Sequence, residues 1–384
     1  MTKHYSRYDQ IRANGPFVAQ GRTLYVIGYP EAKQILGYHR RFVKDIRNIL
    51  PPEQSSQFEP ETDMFSLLYD NMLNSDQPAH TRLRALVSKA FTNRHIQSLA
   101  PRIQEITNQL IDSFKAEGEI DLIEAYAFPL PIIVICELLG IPIEDRDKFR
   151  KWSHAFIGIA DDEQSYVQLL TDFVRYIGQM IADRRSHPRD DLISGLVHAE
   201  ENGARLSEQE LYSMIALLIV AGNETTVNLI GNGMLALLRH PDQATLLRRE
   251  PQLIDVAIEE FLRYTGPVEM ATTCYAAEDT EIGGTFIRAG SPIIVILAAA
   301  DRDPAVFQDA AELNVTRESN KHLGFGYGVH YCLGAPLARL EARIAFNTLL
   351  KRMPAIRLSV PASQLKYNEG TIVHGLVRLP VRWD

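Results

Sequence analysis

Cysteine is scarce: Cys136, Cys274 and Cys332 are the only three in 384 residues. So sparse and odd a count argues against a disulfide framework and for a reducing, cytoplasmic compartment. Long apolar runs are also missing. The longest near the middle, Met214 to Ala221, is too short to span a bilayer and soon meets Glu224. The opening Met1-Thr2-Lys3-His4-Tyr5 carries no apolar stretch, so neither a signal peptide nor a membrane anchor is expected. Basic charge is in deficit, with 40 Lys and Arg against 48 Asp and Glu. The net charge of −8 speaks against bulk attraction to nucleic acid. Length alone would suggest two or three domains. No Pro/Gly/Ser-rich linker, fixed repeat or low-complexity tract divides the chain, however, so one domain over residues 1–384, acting as a monomer, is expected. What is present is ordinary for a soluble globular protein: 46% hydrophobic and 23% charged residues.

Apolar periodicity predicts a mainly α protein. Helices are expected over Glu31–Leu36, Thr81–Ala90, Pro101–Ala116, Pro131–Leu139, Glu144–Ile159, Ser165–Arg185, Asp191–Ala199, Glu208–Leu238, Asp242–Glu250, Leu253–Tyr264 and Ala335–Lys351. Strands are expected over Leu24–Ile27 and Ile293–Leu297, with others near Glu281–Ile287 and Thr371–Val381. Ser207-Glu208-Gln209-Glu210 reads as a capping box. It opens a helix roughly 45 Å long at ~1.5 Å per residue. Mid-helix, Ala221-Gly222-Asn223-Glu224-Thr225-Thr226 breaks the apolar pattern. Gly222 costs roughly 1 kcal/mol against Ala there, and the threonine hydroxyls compete for backbone carbonyls. On its own the segment reads equally as a kink with a solvated carboxylate or as room made for a ligand.

The most informative stretch is Phe325-Gly326-Tyr327-Gly328-Val329-His330-Tyr331-Cys332-Leu333-Gly334. It sets one cysteine in a glycine-rich loop just before an amphipathic helix. The unpaired N–H groups and the positive dipole end of a helix N-terminus favour a thiolate. A soft anion so held suits the axial position of haem iron, whereas a plain core cysteine has no need of this much glycine. Cys136, among Ile132 to Ile135, reads as core.

The ten-residue loop resembles the haem-binding loop of the cytochrome P450 family, F-G-x-G-x-H/R-x-C-x-G, with every fixed position filled. That resemblance covers most of the chain and implies the family's α-rich fold with a small β-sheet region. It also implies haem b as cofactor and Cys332 as the iron ligand, with Phe325, Gly326, His330 and Gly334 around the haem. Ala221-Gly222-Asn223-Glu224-Thr225-Thr226 is similar to the family's oxygen-binding motif. By that likeness Glu224 and Thr225 are an acid–alcohol pair relaying protons, and Ala221 and Gly222 leave space for O2. His80-Thr81-Arg82-Leu83-Arg84 alone reads as a basic surface helix; the resemblance instead puts His80, Arg84 and His330 on the haem carboxylates. Glu260 and Arg263, one turn apart, alone read as a surface pair. The resemblance makes them the E-x-x-R pair, buried and structural, with Arg317 as a third member despite Asn314 standing where Asp is usual. Cys274 stands where related sequences commonly have Arg on a haem carboxylate, which leaves that carboxylate with fewer donors.

The activity implied is a monooxygenase of secondary metabolism that inserts one atom of O2 into an apolar small-molecule or carrier-bound substrate. Related enzymes hydroxylate polyketides, macrolides or fatty acyl chains. No reductase domain and no G-x-G-x-x-G after a strand is visible, so electrons would come from a ferredoxin or flavodoxin with its reductase. Arg82, Lys89, Arg94, Arg339 and Arg343 are candidates for a basic docking face. Met64–Leu68, Phe156-Ile157, Val268–Ala271 and Ile372-Val373 are candidates for the substrate walls. A peroxide-driven peroxygenase and a non-catalytic haem-thiolate ligand- or gas-binding protein are the alternatives; both leave the acid–alcohol pair without a role.

Overall fold

A computed structural model describes residues 8, 10–51, 53, 71–156, 163–200, 203–368 and 372–384. Its strands, in chain order, are β1 Phe17–Gln20, β2 Thr23–Val26, β3 Phe42–Val43, β4 Glu119–Asp121, β5 Cys274–Ala276, β6 Thr280–Ile282, β7 Thr285–Ile287, β8 Pro292–Val295, β9 Arg357–Leu358 and β10 Pro380–Arg382. The helices are α1 Tyr29–Gly37, α2 Ala79–Ala90, α3 Asn93–Ser98, α4 Ala100–Phe114, α5 Pro129–Leu139, α6 Arg146–Phe156, α7 Glu163–Ser186, α8 Leu192–Val197, α9 Glu208–Arg239, α10 Pro241–Arg249, α11 Ile254–Thr265, α12 Leu297–Ala300 and α13 Ala335–Arg352. Every expected helix is there with shifted ends; the residues after 156 expected to continue α6 lie outside the described ones.

Helices form the bulk of the core. The central α9 packs against α5, α6, α11 and α13, and α13 also packs against α4. Ser207 caps α9 as expected: its hydroxyl accepts from the Glu210 N–H, and the Glu210 carboxylate accepts from the Ser207 N–H. The helix then runs as one continuous α-helical span from Glu208 to Arg239, through Gly222. Among the described residues α9 alone has the length and hydropathy to cross a bilayer. Two-thirds of that apolar window is buried inside the protein, the signature of a core helix.

A five-stranded sheet, ordered β1-β2-β8-β5-β3, packs α1 and α12 into a second core. Two smaller sheets join β4-β10-β9 and β6-β7. The expected strand near Glu281–Ile287 is instead the β6–β7 hairpin, turned at Gly283 and Gly284, both with positive φ. The strand expected up to Leu297 stops at Val295, where α12 takes over. Of the strand expected over Thr371–Val381, only β10 forms at its end. Val373 and Leu376 make isolated bridges, and Thr371 lies outside the described residues.

One buried cluster ties α11 to the chain that leads into the cysteine loop. Glu260 and Arg263 are fully buried and bonded in parallel, Nε to Oε2 and Nη2 to Oε1, both at 2.8 Å. Arg263 also donates to the carbonyls of Asp301, Ala310 and Glu312. Glu260 accepts from Arg317 Nε at 3.0 Å, from Asn320 Nδ2 at 3.0 Å and from the Asn314 N–H at 2.9 Å. Arg317 therefore occupies the third position of the cluster. The Asn314 side chain turns away to accept from the Thr316 N–H and hydroxyl, so the unusual Asn leaves the cluster intact. Glu260→Ala strands Arg263 in the core and is expected to cost about 3–5 kcal/mol. Urea unfolding measures it; a loss below about 1 kcal/mol contradicts this account.

Glu341, on α13, is 1% exposed, and its Oε2 has no hydrogen-bond partner among the described residues. Burial pushes its carboxyl up to about 8. Because the folded value lies above the unfolded one, this group costs stability progressively as pH rises from about 4.5 to about 8. Glu341→Gln is therefore expected to stabilise the fold on the order of 1–3 kcal/mol at pH 8. The gain should fade toward pH 4.5, as unfolding curves at several pH values will read; a pH-independent difference contradicts the assignment.

Candidate functional site

The cysteine loop is held shut by its backbone. The Cys332 N–H donates to Phe325 O at 2.9 Å, Gly326 N–H to Leu323 O at 2.7 Å and Tyr331 N–H to Gly328 O at 3.2 Å. Gly326 and Gly328 have φ of +74° and +75°, a region costly for other residues. At Gly328 a Cβ would also stand 2.8 Å from Leu36 O and 3.2 Å from Gly37 Cα, so the loop lies directly on α1. At Gly326 the nearest atom would be His330 O at 3.6 Å.

Below the loop, Glu259 accepts from Arg339 through both its oxygens at 2.7 Å, and from His322 Nε2 at 3.0 Å. Burial opposes ionisation of Glu259, but these donors hold its carboxyl at about 2. The Gly324 N–H donates to His322 Nδ1, which leaves the proton on Nε2 for Glu259. The Arg339 guanidinium lies 4.6 Å from the Phe325 ring centroid.

Cys332 is exposed, whereas Cys136 and Cys274 are buried. Protein nonetheless surrounds it, and burial pushes its thiol up; the Gly334 and Ala335 N–H groups, Arg84 and Arg339 pull it down. The main-chain N–H groups of Gly334 and Ala335, at the start of α13, thus point at the sulfur.

His80, Arg84 and His330 come together. The His80 and His330 rings lie 4.3 Å apart. Burial drives His330 down to about 3, reinforced by His80, Lys44, Arg84 and His39. His80 is lowered by burial and by Arg84. So many basic groups around one buried and one half-buried imidazole make a place for carboxylates. Lys44 belongs to this cluster and was not foreseen. It is an isolated lysine beside a two-residue strand, where no spacing rule marks it. Its Nζ donates to Thr272 O at 2.7 Å and Thr272 Oγ1 at 2.8 Å.

On α9, Leu217, Leu218, Ala221, Gly222 and Thr225 are at least partly accessible, while nearly all their neighbours are buried. Their spacing of three and four puts them on one helical face. Thr225 Oγ1 donates to Ala221 O at 2.5 Å, a back-bond made without breaking the helix. Gly222 has a packing reason as well: a Cβ there would stand 3.3 Å from Ile135 Cδ1 of α5. Glu224, next to Thr225, is buried; burial pushes its carboxyl up, and Arg150 on α6 opposes the shift. Arg150 is itself paired bidentately with Glu124.

The candidate substrate segments meet in part. Val268 bridges Val373, and the Glu269 N–H donates to Ile372 O at 2.8 Å. Met64 to Leu68 and Ile157 lie outside the described residues, as does the side chain of Phe156. The expected basic docking face is largely neutralised. Arg82 pairs with Glu210, Arg339 with Glu259 and Arg343 with Asp255. Sequence spacing conceals these pairings because each acid comes from a distant segment.

The chemistry of the donor set fits haem: a soft sulfur met by the N–H groups of Gly334 and Ala335, a basic cluster able to take two carboxylates, and a stripe of small and apolar side chains on α9. Comparisons with known proteins agree. The family model described as Cytochrome P450 matches residues 148–355. "Polyketide biosynthesis cytochrome P450 PksS" from Bacillus subtilis (strain 168) is 46% identical over 342 residues, covering 89% of this chain and 84% of its own length. "Cytochrome P450 monooxygenase PikC" from Streptomyces venezuelae is 44% identical over 387 residues, covering 99% of this chain and 91% of its own. Among solved structures, the PksS enzyme of the Bacillus subtilis 168 bacillaene polyketide synthase superposes with a TM-score of 0.91 at 41% identity, covering 99% of this chain and 96% of that one. P450BioI, in complex with an acyl carrier protein bearing hexadec-9Z-enoic acid, superposes at 0.90 with 38% identity, covering 100% and 98%.

Gly328→Ala is expected to lower both urea stability and haem content in purified protein, by more than Gly326→Ala. Both substitutions bear the positive-φ cost of about 1 kcal/mol, but only the first collides with α1. Equal losses in the two variants contradict this.

Proposed function

This chain belongs to the cytochrome P450 family and is a monooxygenase of it, and we propose that it hydroxylates a polyketide or fatty-acyl substrate, free or carrier-bound. The exposed Cys332, within electrostatic reach of Arg84 of the basic cluster, is the observation that carries the family chemistry. When bound, haem b supplies the redox chemistry that activates O2, and a thiolate ligand favours O–O cleavage. The residues of this chain do the rest. Cys332 supplies the thiolate, held by the N–H groups of Gly334 and Ala335. Phe325, Gly326 and Gly334 would hold the haem from the loop, and Ala221 and Gly222 would leave it room beside α9. His80, Arg84 and His330 hold the carboxylates.

Glu224 and Thr225 move protons. Burial raises the affinity of Glu224 for a proton, and the Thr225 hydroxyl sits on the accessible face of α9. The two side chains point about 100° apart around the helix. Thr225 therefore positions the last donor, and Glu224 receives protons from the α6 side, where Arg150 lies.

Electrons come from a separate ferredoxin or flavodoxin and its reductase. Because Arg82, Arg339 and Arg343 are already paired, we place less weight on bare charge attraction in that docking. The substrate class rests on the printed names of the relatives: a polyketide biosynthesis enzyme, a 6-deoxyerythronolide B hydroxylase and a P450 bound to an acylated carrier protein. The partly accessible Leu217, Leu218, Val268 and Met270 support an apolar substrate. The peroxide-driven and non-catalytic readings are not favoured beside relatives named as monooxygenases and hydroxylases.

With surrogate ferredoxin, reductase and an acylated carrier protein or macrolactone, 18O2 should place label in a hydroxylated product. Label arriving only from water, or no product across both classes, contradicts the proposal. Thr225→Ala is expected to keep haem but lower product formed per NADPH by about 10-fold or more, with peroxide rising to match, on the scale of losing a positioned proton donor. Unchanged coupling removes Thr225 from the proton path.

A further inference from the structure

Lys44 holds an unusual position for a lysine. The antiparallel register of β3 on β5 pairs Phe42 with Ala276 and Val43 with Tyr275, which sets Lys44 beside Cys274 at the next step. Its main-chain N–H is fixed by Asp76 Oδ1 at 2.8 Å. Its Nζ is drawn inward to the carbonyl and hydroxyl of Thr272. Among the described residues it makes no ion pair. Asp76, the nearest acid to influence it, already accepts from the N–H groups of Lys44 and Asp45 and from Asn48 Nδ2. An ammonium has three N–H donors, and Thr272 takes two.

Apart from Asp76, the charged groups around it share its sign. Lys44 lies near His330, and with His80, Arg84 and His39 forms a cluster of five basic side chains. A partly buried ammonium with a free donor and no counter-charge is costly unless an anion arrives. The haem carboxylates are the anions this site is placed to receive. Across the strand, position 274 carries a thiol that burial keeps protonated, with a value of about 11, and so supplies no charge of its own.

We propose that Lys44 is a haem-carboxylate ligand of this protein, supplying from β3 the cation that Cys274 does not supply from β5. The proposal rests on the haem-thiolate reading above. It reverses the expectation that this carboxylate is short of donors. Thr272 becomes a positioning residue, aiming the lysine through its two acceptors.

The test is the rate of haem loss from the holoenzyme to excess apomyoglobin, for wild type and for Lys44→Met, which keeps the aliphatic stem. The same measurement is repeated with each protein loaded with the dimethyl ester of the porphyrin. A charge-assisted hydrogen bond predicts that Lys44→Met loses ordinary haem roughly 10-fold faster or more, and that the two proteins lose the ester at equal rates. Adding Cys274→Arg to Lys44→Met is expected to slow the loss of ordinary haem again. Circular dichroism confirms that the variant is folded. Equal rates for ordinary haem overturn the assignment; so does an equal acceleration for haem and ester, which makes Lys44 a packing residue. A wild-type chain that takes up no haem defeats the family reading itself, a different and separately visible outcome.

Discussion

One buried carboxylate organises the approach to the site. Glu260 accepts from two guanidinium groups, an amide side chain and a main-chain N–H, so none of its charge is left to water. Arg263 in turn binds three carbonyls of the irregular segment between Asp301 and Glu312. Such a segment cannot satisfy its own polar groups as a helix does, and burying it unpaired would be expensive. The charged pair serves as its hydrogen-bonding core. Removing both charges together need not be ruinous, since buried pairs often do little better than apolar replacements. What the pair contributes is position: the chain leaves it at Asn320 and enters the cysteine loop a few residues later.

The loop inherits that rigidity from three directions. Its own turn is closed by Cys332 on Phe325, Gly328 lies against α1, and Arg339 braces Phe325 from α13. The sulfur is thereby held at the start of a long helix, α13. The other candidate residues come from a different kind of element. Helix α9 is buried nearly all round, yet keeps one accessible stripe through Ala221 and Thr225. In the proposed reading the loop and this stripe of α9 supply the handful of side chains that set the site's chemistry. Positioned sites of this sort work because their supports do not yield.

Much of this was legible beforehand, for physical reasons. Long amphipathic helices announce themselves by period, and the Ser207 capping box marked the start of α9 to the residue. The cysteine loop was legible because glycines at positive φ beside a lone thiol are hard to explain by packing. Short strands were less so: β3 and β9 have two residues each, too few for alternation to register. The Gly283-Gly284 pair pointed to a turn, but a single strand was expected across it. Spacing leaves the two readings of the Gly222 segment open, because the approach of Ile135 to Gly222 comes from another helix. Charges were the hardest to read. Lys44 and the acids that neutralise Arg339 and Arg343 come from segments far apart in sequence, and only the fold makes them neighbours.

On the proposed reading, all of these features serve one role, Cys332 as the ligand of haem iron. The most direct measurement is the absorption spectrum of the reduced, carbon monoxide-bound protein, for wild type and for Cys332→His. Thiolate ligation predicts a strongly red-shifted Soret band in wild type that is lost in the variant. A wild-type band at the position of a histidine-ligated haem, or one that survives Cys332→His unchanged, contradicts the account.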